Sequence, residues 1–219
     1  MSARFKVSGK DGWKWHWSSN NIFSVNKLSK IIQADMSTTV GGLNSNFLWS
    51  STLPLKVNIF SWRLINNGIP LRPGLAKRGI TLDSMNCSFC DSVEETLDHC
   101  FFNCALIELI WRKLWSWWNL STQRPSNLDS MKVDIYPVNE PNFPRLVFLA
   151  TCVVALWMIW KWRNRMVFAE SSDVERIKAE DLFPHIQRTA ALWDKSRKPS
   201  ITLDLEKWCL NPQEALRVL

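Results

Sequence analysis

The fold class expected for this chain is mainly α, helix-rich α+β, with a small N-terminal β-hairpin and one compact cysteine–histidine knuckle. Three observations lead to it. Apolar residues recur at spacings of three and four over several long stretches, aromatic residues alternate strictly at one place near the N-terminus, and four of the six cysteines fall between residues 87 and 104. The 219 residues are 46% hydrophobic and 21% charged, enough to bury a sizeable core and too apolar for a disordered tail. With Gly 7 and Pro 10, collagen-like and linker compositions are excluded as well.

The elements follow in order. Trp13, Trp15 and Trp17 alternate with Lys14 and His16, the period of a short strand with one buried face. A Ser-Ser-Asn-Asn turn follows, and Phe23 and Val25 can pair back as the second strand. Ser24 or Asn26 could cap a helix over residues 27–34, and residues 35–46 read as a polar loop. After Pro54, Val57, Phe60 and Leu64 fall at helical spacing, as do Ile59, Trp62 and Ile65, and Asn66-Asn67-Gly68 stops that helix. A second short helix is expected over residues 73–78, closed by Gly79. Residues 104–118 repeat Ile107, Trp111, Leu114, Trp115 and Trp118 as a strong helix. Residues 119–142, polar and broken by Pro125, Pro137 and Pro141, read as a linker or long loop. Residues 143–169 read as one long buried helix, or two with a break, and residues 173–196 as an amphipathic helix with Pro184 as a kink or restart. The tail from Ile201 has no clear period. The expected organisation is therefore a Trp-rich hairpin and helix (1–46), a knuckle domain (47–118), a linker (119–142) and a C-terminal helical region (143–219).

The longest apolar run, residues 146–160, is shorter than the roughly 20 residues that span a bilayer, so a core helix is expected and no membrane. The N-terminal residues lack the apolar stretch of a secretory signal, which points to an intracellular protein of the nucleus or the cytoplasm. Trp 14 against Tyr 1 is unusual; a buried indole needs a partner for its N–H, so many of these rings are expected at partly wet boundaries.

Charge is uneven. Residues 1–82 carry eleven Lys/Arg against two acids, Asp11 and Asp35, although the net charge of the whole chain is only +7. Residues 36–82 hold no carboxylate, while Lys56, Arg63, Arg72, Lys77 and Arg78 lie among them. This is either a solvated basic face or a surface that meets nucleic acid.

The chemistry concentrates in Cys87-x2-Cys90-x8-His99-x4-Cys104. Zinc takes four soft or borderline ligands at tetrahedral corners, and a C-x2-C pair on a tight turn presents two sulfurs to one ion. His99 and Cys104, ahead of the next helix, supply the opposite edge, and a helix N-terminus favours the Cys104 thiolate. Asp98 or a backbone carbonyl could receive the second imidazole N–H. With all four positions filled by protein, one structural Zn2+ is expected rather than a catalytic one. Cys100 reads as a small buried hydrophobe, with substitution as a ligand the alternative. His16 and His185 have no Cys or His neighbours and read as solvated or core residues, and Cys152 and Cys209 stand alone.

Four blocks carry a family resemblance. They are Asp11-Gly-Trp13-Lys-Trp15 with Ile22-Phe23-Ser24-Val25; Pro54-Leu55-Lys56-Val57 through Phe60, Trp62 and Arg63 to Ile69-Pro70 and Lys77-Arg78-Gly79-Ile80; the ligand segment with Glu94-Glu95-Thr96 and Asp98-His99; and Leu156-Trp157 through Trp160-Lys161-Trp162-Arg163-Asn164. In these the chain resembles the zinc-binding domain that follows the reverse transcriptase in plant non-LTR (LINE-type) retrotransposons. Asn21 and Leu71 stand where the family usually has Gly and Thr, and Cys100 where it usually has an apolar residue; none is a ligand.

The resemblance implies a partner, template RNA or target DNA, bound without sequence specificity. Lys56, Arg63, Arg72, Lys77 and Arg78 would contact phosphates, and exposed Trp rings or Phe89 could stack on single-stranded bases, with core packing the alternative for each ring. A polymerase needs paired aspartates for two metal ions. The adjacent acid pairs here are Glu94-Glu95 and Glu180-Asp181, on segments read as knuckle and helix, so the catalytic region is expected to be absent and the chain not an enzyme. The alternative reading is a protein-interaction or scaffold domain, or a retroelement remnant that does not bind nucleic acid.

Overall fold

A computed structural model describes residues 53–132, 142–197 and 203–217, together with Ser24 and Lys27. The chain divides into two compact units, Met1–Asn44 and Ser45–Leu219, and the architecture below is that of the second. The expected N-terminal hairpin lies outside the described residues, as does the 27–34 helix apart from Lys27. Among the described residues the fold is helical, and its extended pairing is one antiparallel bridge, Asn86 with Glu94.

Helix α1 (Leu55–Ile65) starts where the Pro54 carbonyl accepts from Val57 N and Asn58 N. It buries Val57, Phe60 and Leu64, with Ser61 Oγ bonded back to the Val57 carbonyl at 3.0 Å. Asn67 adopts a left-handed conformation (φ 51°) and lets Gly68 N reach Arg63 O at 2.7 Å, which ends the helix. After the short α2 (Arg72–Ala76), Gly79 turns the chain at φ +80°, where a side chain would be strained.

The knuckle follows, and then a π-helical turn, His99–Asn103, that buries Cys100, Phe101 and Phe102. Helix α3 (Ala105–Trp117) buries Ile107, Ile110, Trp111, Leu114, Trp115 and Trp117. Within the segment expected to be linker, α4 (Leu128–Lys132) carries a buried Met131, and Asn127 Oδ1 caps it through Ser130 N at 2.7 Å.

Helix α5 (Asn142–Val167) is unbroken for 26 residues, about 39 Å at 1.5 Å per residue. It packs on α1, on the π-helical turn, on α6 (Ser171–Lys178) and on α7 (Phe183–Arg197). Its Pro144–Val167 stretch is long and apolar enough to cross a membrane, but most of its most apolar window is buried inside this fold. The expected 173–196 helix is two helices, with Pro184 at the second position of α7, so it restarts the helix rather than kinking it.

The aperiodic tail also folds, into α8 (Leu205–Leu210), capped by Asp204, and α9 (Pro212–Arg217), capped by Asn211. Hydrophobic spacing cannot reveal helices of six residues; their caps are the only local signal. Trp208 then closes the aromatic core, its ring 5.1 Å from Trp117.

The Trp expectation holds for part of the set: among the described residues Trp62 is exposed and Trp157, Trp160 and Trp193 are half-buried. Trp111, Trp115, Trp117, Trp118, Trp162 and Trp208 depart from it and are buried. For four of the six a backbone carbonyl takes the place of water: Trp111 Nε1 donates to Phe101 O, Trp117 Nε1 to Trp208 O, Trp162 Nε1 to Ile177 O and Trp208 Nε1 to Gln187 O, all at 2.8–2.9 Å.

Candidate metal centre

The knuckle is shaped by its backbone. Cys87 N donates to Val93 O at 2.6 Å and Glu95 N to Met85 O at 2.9 Å, which pins the two arms together. Between them Asp91 N reaches Cys87 O at 2.9 Å, and Asp91 itself takes a left-handed turn (φ 53°). That turn aims Cys87 and Cys90 to one side. Across from them, the π-helical turn brings Cys104 N onto His99 O at 2.9 Å, so one wide turn carries both remaining donors. Cys104 then sits at the N-cap of α3.

The ligand atoms of Cys87, Cys90, His99 and Cys104 all lie within 4.8 Å of one another. Sulfurs about 2.3 Å from a tetrahedral ion would be about 3.8 Å apart, and a sulfur–imidazole edge about 3.6 Å. Cys90 Sγ lies 3.3 Å from His99 Nε2, which fits that edge. Three sulfurs and one imidazole nitrogen at these separations can hold one metal ion with no position left open. Cys87 and Cys104 are buried, and Cys90 and His99 half-buried.

Two of the thiols share a proton, and the sharing favours the thiolate at Cys87. Cys87 Sγ accepts from Phe89 N at 3.4 Å. Between the two thiols, the hydrogen bond from Cys104 brings the Cys87 pKa down to about 5 against the effect of burial, helped by the backbone N–H groups of Cys90 and Phe89 and by the His99 charge. The same hydrogen bond, together with burial, pushes Cys104 up. Cys100 stands outside the four; burial, then the Glu95 charge, hold it a neutral thiol. The Asp98 carboxyl is raised by burial and by the Asp129 charge.

Spacing did not suggest the group that anchors the knuckle. Glu95 is fully buried, and Arg163 of α5 is 3% exposed. Arg163 Nε and Nη2 grip the carboxylate at 2.9 and 2.6 Å. Ser88 Oγ, from between the two knuckle cysteines, donates to Glu95 Oε1 at 3.0 Å, and Arg72 N donates to Oε2 at 2.9 Å. Arg163 also lies over the Trp160 ring at 5.4 Å. Phe89 is buried with its ring 4.9 Å from Trp162, so it packs the knuckle against α5 and offers no face to a base.

Of the five candidate phosphate contacts, Lys56 and Arg63 are exposed on α1, and Lys77 and Arg78 are exposed just beyond α2. Arg72 turns inward: its Nη1 donates to Asn86 O at 2.7 Å and Ser84 O at 3.3 Å, bracing the entry to the knuckle. Elsewhere, a cavity of about 680 Å³ lies between α3 and the chain that follows it. Its arginines, Arg112 and Arg124, both bond Glu108, at 2.8 and 3.0 Å.

Residues 23–111 match the family described as zinc-binding in reverse transcriptase, a span that contains all four donors, α1, α2 and half of α3. The match ends before the Trp160–Asn164 block, although Arg163 of that block bonds Glu95 inside it. No curated protein and no solved structure matches the chain.

Proposed function

We propose that this chain, whose residues 23–111 match the family described as zinc-binding in reverse transcriptase, is a nucleic-acid-binding module built on a single structural Zn2+, with no polymerase chemistry among its residues. The observation that carries the reading is the convergence of Cys87, Cys90, His99 and Cys104 within 4.8 Å. A donor set of three thiolates and a neutral imidazole suits zinc, and a filled coordination sphere makes the ion architectural. The low pKa of Cys87 favours the deprotonated sulfur that a metal requires. A clustered donor set of metal-binding cysteines is in keeping with an intracellular protein.

The polynucleotide is RNA or DNA, held through its phosphates by Lys56, Arg63, Lys77 and Arg78. Support comes from their exposure and from the lack of any carboxylate in residues 36–82. Arg72 contributes by holding the knuckle in shape. A non-catalytic role is supported by the acid pairs, three of whose four members are held in ion pairs of the fold. Glu95 is bonded to Arg163, Glu180 to Arg165 and Asp181 to Lys113.

Four phosphate contacts give an expected slope of about −3 for log affinity against log salt on single strands, or about 50-fold weaker binding at 200 mM than at 50 mM salt. Fluorescence anisotropy with a labelled oligonucleotide reads this directly. An affinity that stays flat across that range rules out phosphate contacts and returns the chain to the scaffold reading.

A further inference from the structure

Helix α1 turns two different faces to its surroundings. At 100° per residue, Val57, Phe60, Ser61 and Leu64 share the sector that faces the core, where all four are buried. Leu55, Ile59 and Trp62 share the opposite sector and are 62%, 45% and 43% exposed. Lys56 and Arg63, two turns apart, line one edge of that apolar stripe. Among the described residues Trp62 is the tryptophan left exposed; every other described one is buried or half-buried.

We propose that this face of α1 is a stacking platform for single-stranded nucleic acid, with the Trp62 ring receiving an unpaired base, Ile59 and Leu55 extending the apolar floor, and Lys56 and Arg63 holding the flanking phosphates. The proposal rests on the nucleic-acid reading above and adds the strandedness of the partner. The charge pattern favours this occupant. An apolar stripe edged by cations, on a helix with no acidic residue, complements a ligand that joins flat apolar rings to a row of negative charges. A duplex offers the charges but keeps its base faces stacked inside, so Trp62 would gain nothing from it. Base stacking on an aromatic side chain tolerates any sequence, because every base has a π-face.

The test uses the full-length, zinc-loaded chain with labelled single-stranded RNA, single-stranded DNA and duplex probes of equal length, read by anisotropy. Trp62→Ala is expected to weaken single-strand binding about 5- to 150-fold at fixed salt, to leave the salt slope unchanged and to leave duplex binding unaltered. Trp62→Phe is expected to keep most of the affinity. The double variant Lys56→Gln/Arg63→Gln is expected to flatten the single-strand slope by about 1.4. The proposal is overturned if Trp62→Ala binds single strands like the parent, or loses equal affinity for duplex, or loses zinc or thermal stability so that the ring is part of the fold. A parent protein that binds no probe at any salt overturns the nucleic-acid reading itself. A parent with a steep salt slope and an indifferent Trp62 leaves that reading standing and removes only the platform. Comparison of the RNA and DNA arms identifies the preferred strand.

Discussion

Replacing Glu95 with Ala is expected to destabilise the domain by about 3–5 kcal/mol, the usual cost of stripping one partner from a buried ion pair. The carboxylate is fully buried and accepts from Arg163 twice, from Ser88 and from the Arg72 backbone. Its loss strands a buried guanidinium and frees the residue between the two knuckle cysteines. Arg163→Met should cost a comparable amount, and the double variant less than the two costs added, since removing both charges leaves neither unpaired. Arg165→Ala is the control. Its pair with Glu180 is short, 2.6 Å, but partly exposed, and should contribute under about 1 kcal/mol. Urea denaturation of the four variants checks this. Additive costs, or a loss below about 1 kcal/mol for Glu95→Ala, would mean that the knuckle is not anchored through this pair.

The second large effect concerns the metal. Replacing Cys87 and Cys90 with Ser removes two of four donors and is expected to release the ion completely. Structural zinc supplies roughly 10–16 kcal/mol of apparent binding free energy in small peptides. Here the effect should be local, because α5 and α7 pack on each other without help from the donors. Hydrogen exchange should therefore quicken at the amides of Cys87, Glu95, Cys100 and Cys104, whose carbonyl partners lie within the knuckle and its turn. The amides in the middle of α5 should stay protected. Unchanged protection of the knuckle in the double variant would contradict a metal-held structure.

How much of this was legible in the sequence depended on the range of the interaction. The donor set was readable because Zn2+ requires particular residue types at short spacing, and Cys87, Cys90, His99 and Cys104 meet that requirement within one segment. Helix α1 was readable too, but two stripes fitted it equally well, Val57–Phe60–Leu64 and Ile59–Trp62–Ile65. Packing against α5 decides between them and leaves Trp62 outside. Glu95 and Arg163 are 68 positions apart, and nothing local marks either as buried. Arg72 looked like any other cation of a basic segment until its hydrogen bonds to Ser84 and Asn86 were seen. The π-helical turn was hidden for a related reason: a bond from Cys104 N to His99 O spans five residues and leaves no periodic trace.

Elemental analysis of the purified chain, combined with thiol alkylation before and after a chelator, tests the central claim most directly. The expected result is one zinc per chain, with Cys87, Cys90 and Cys104 resisting alkylation until the metal is withdrawn and all three reacting afterwards. A folded protein that contains no metal, never having met a chelator, and whose three thiols are alkylated at once would contradict it.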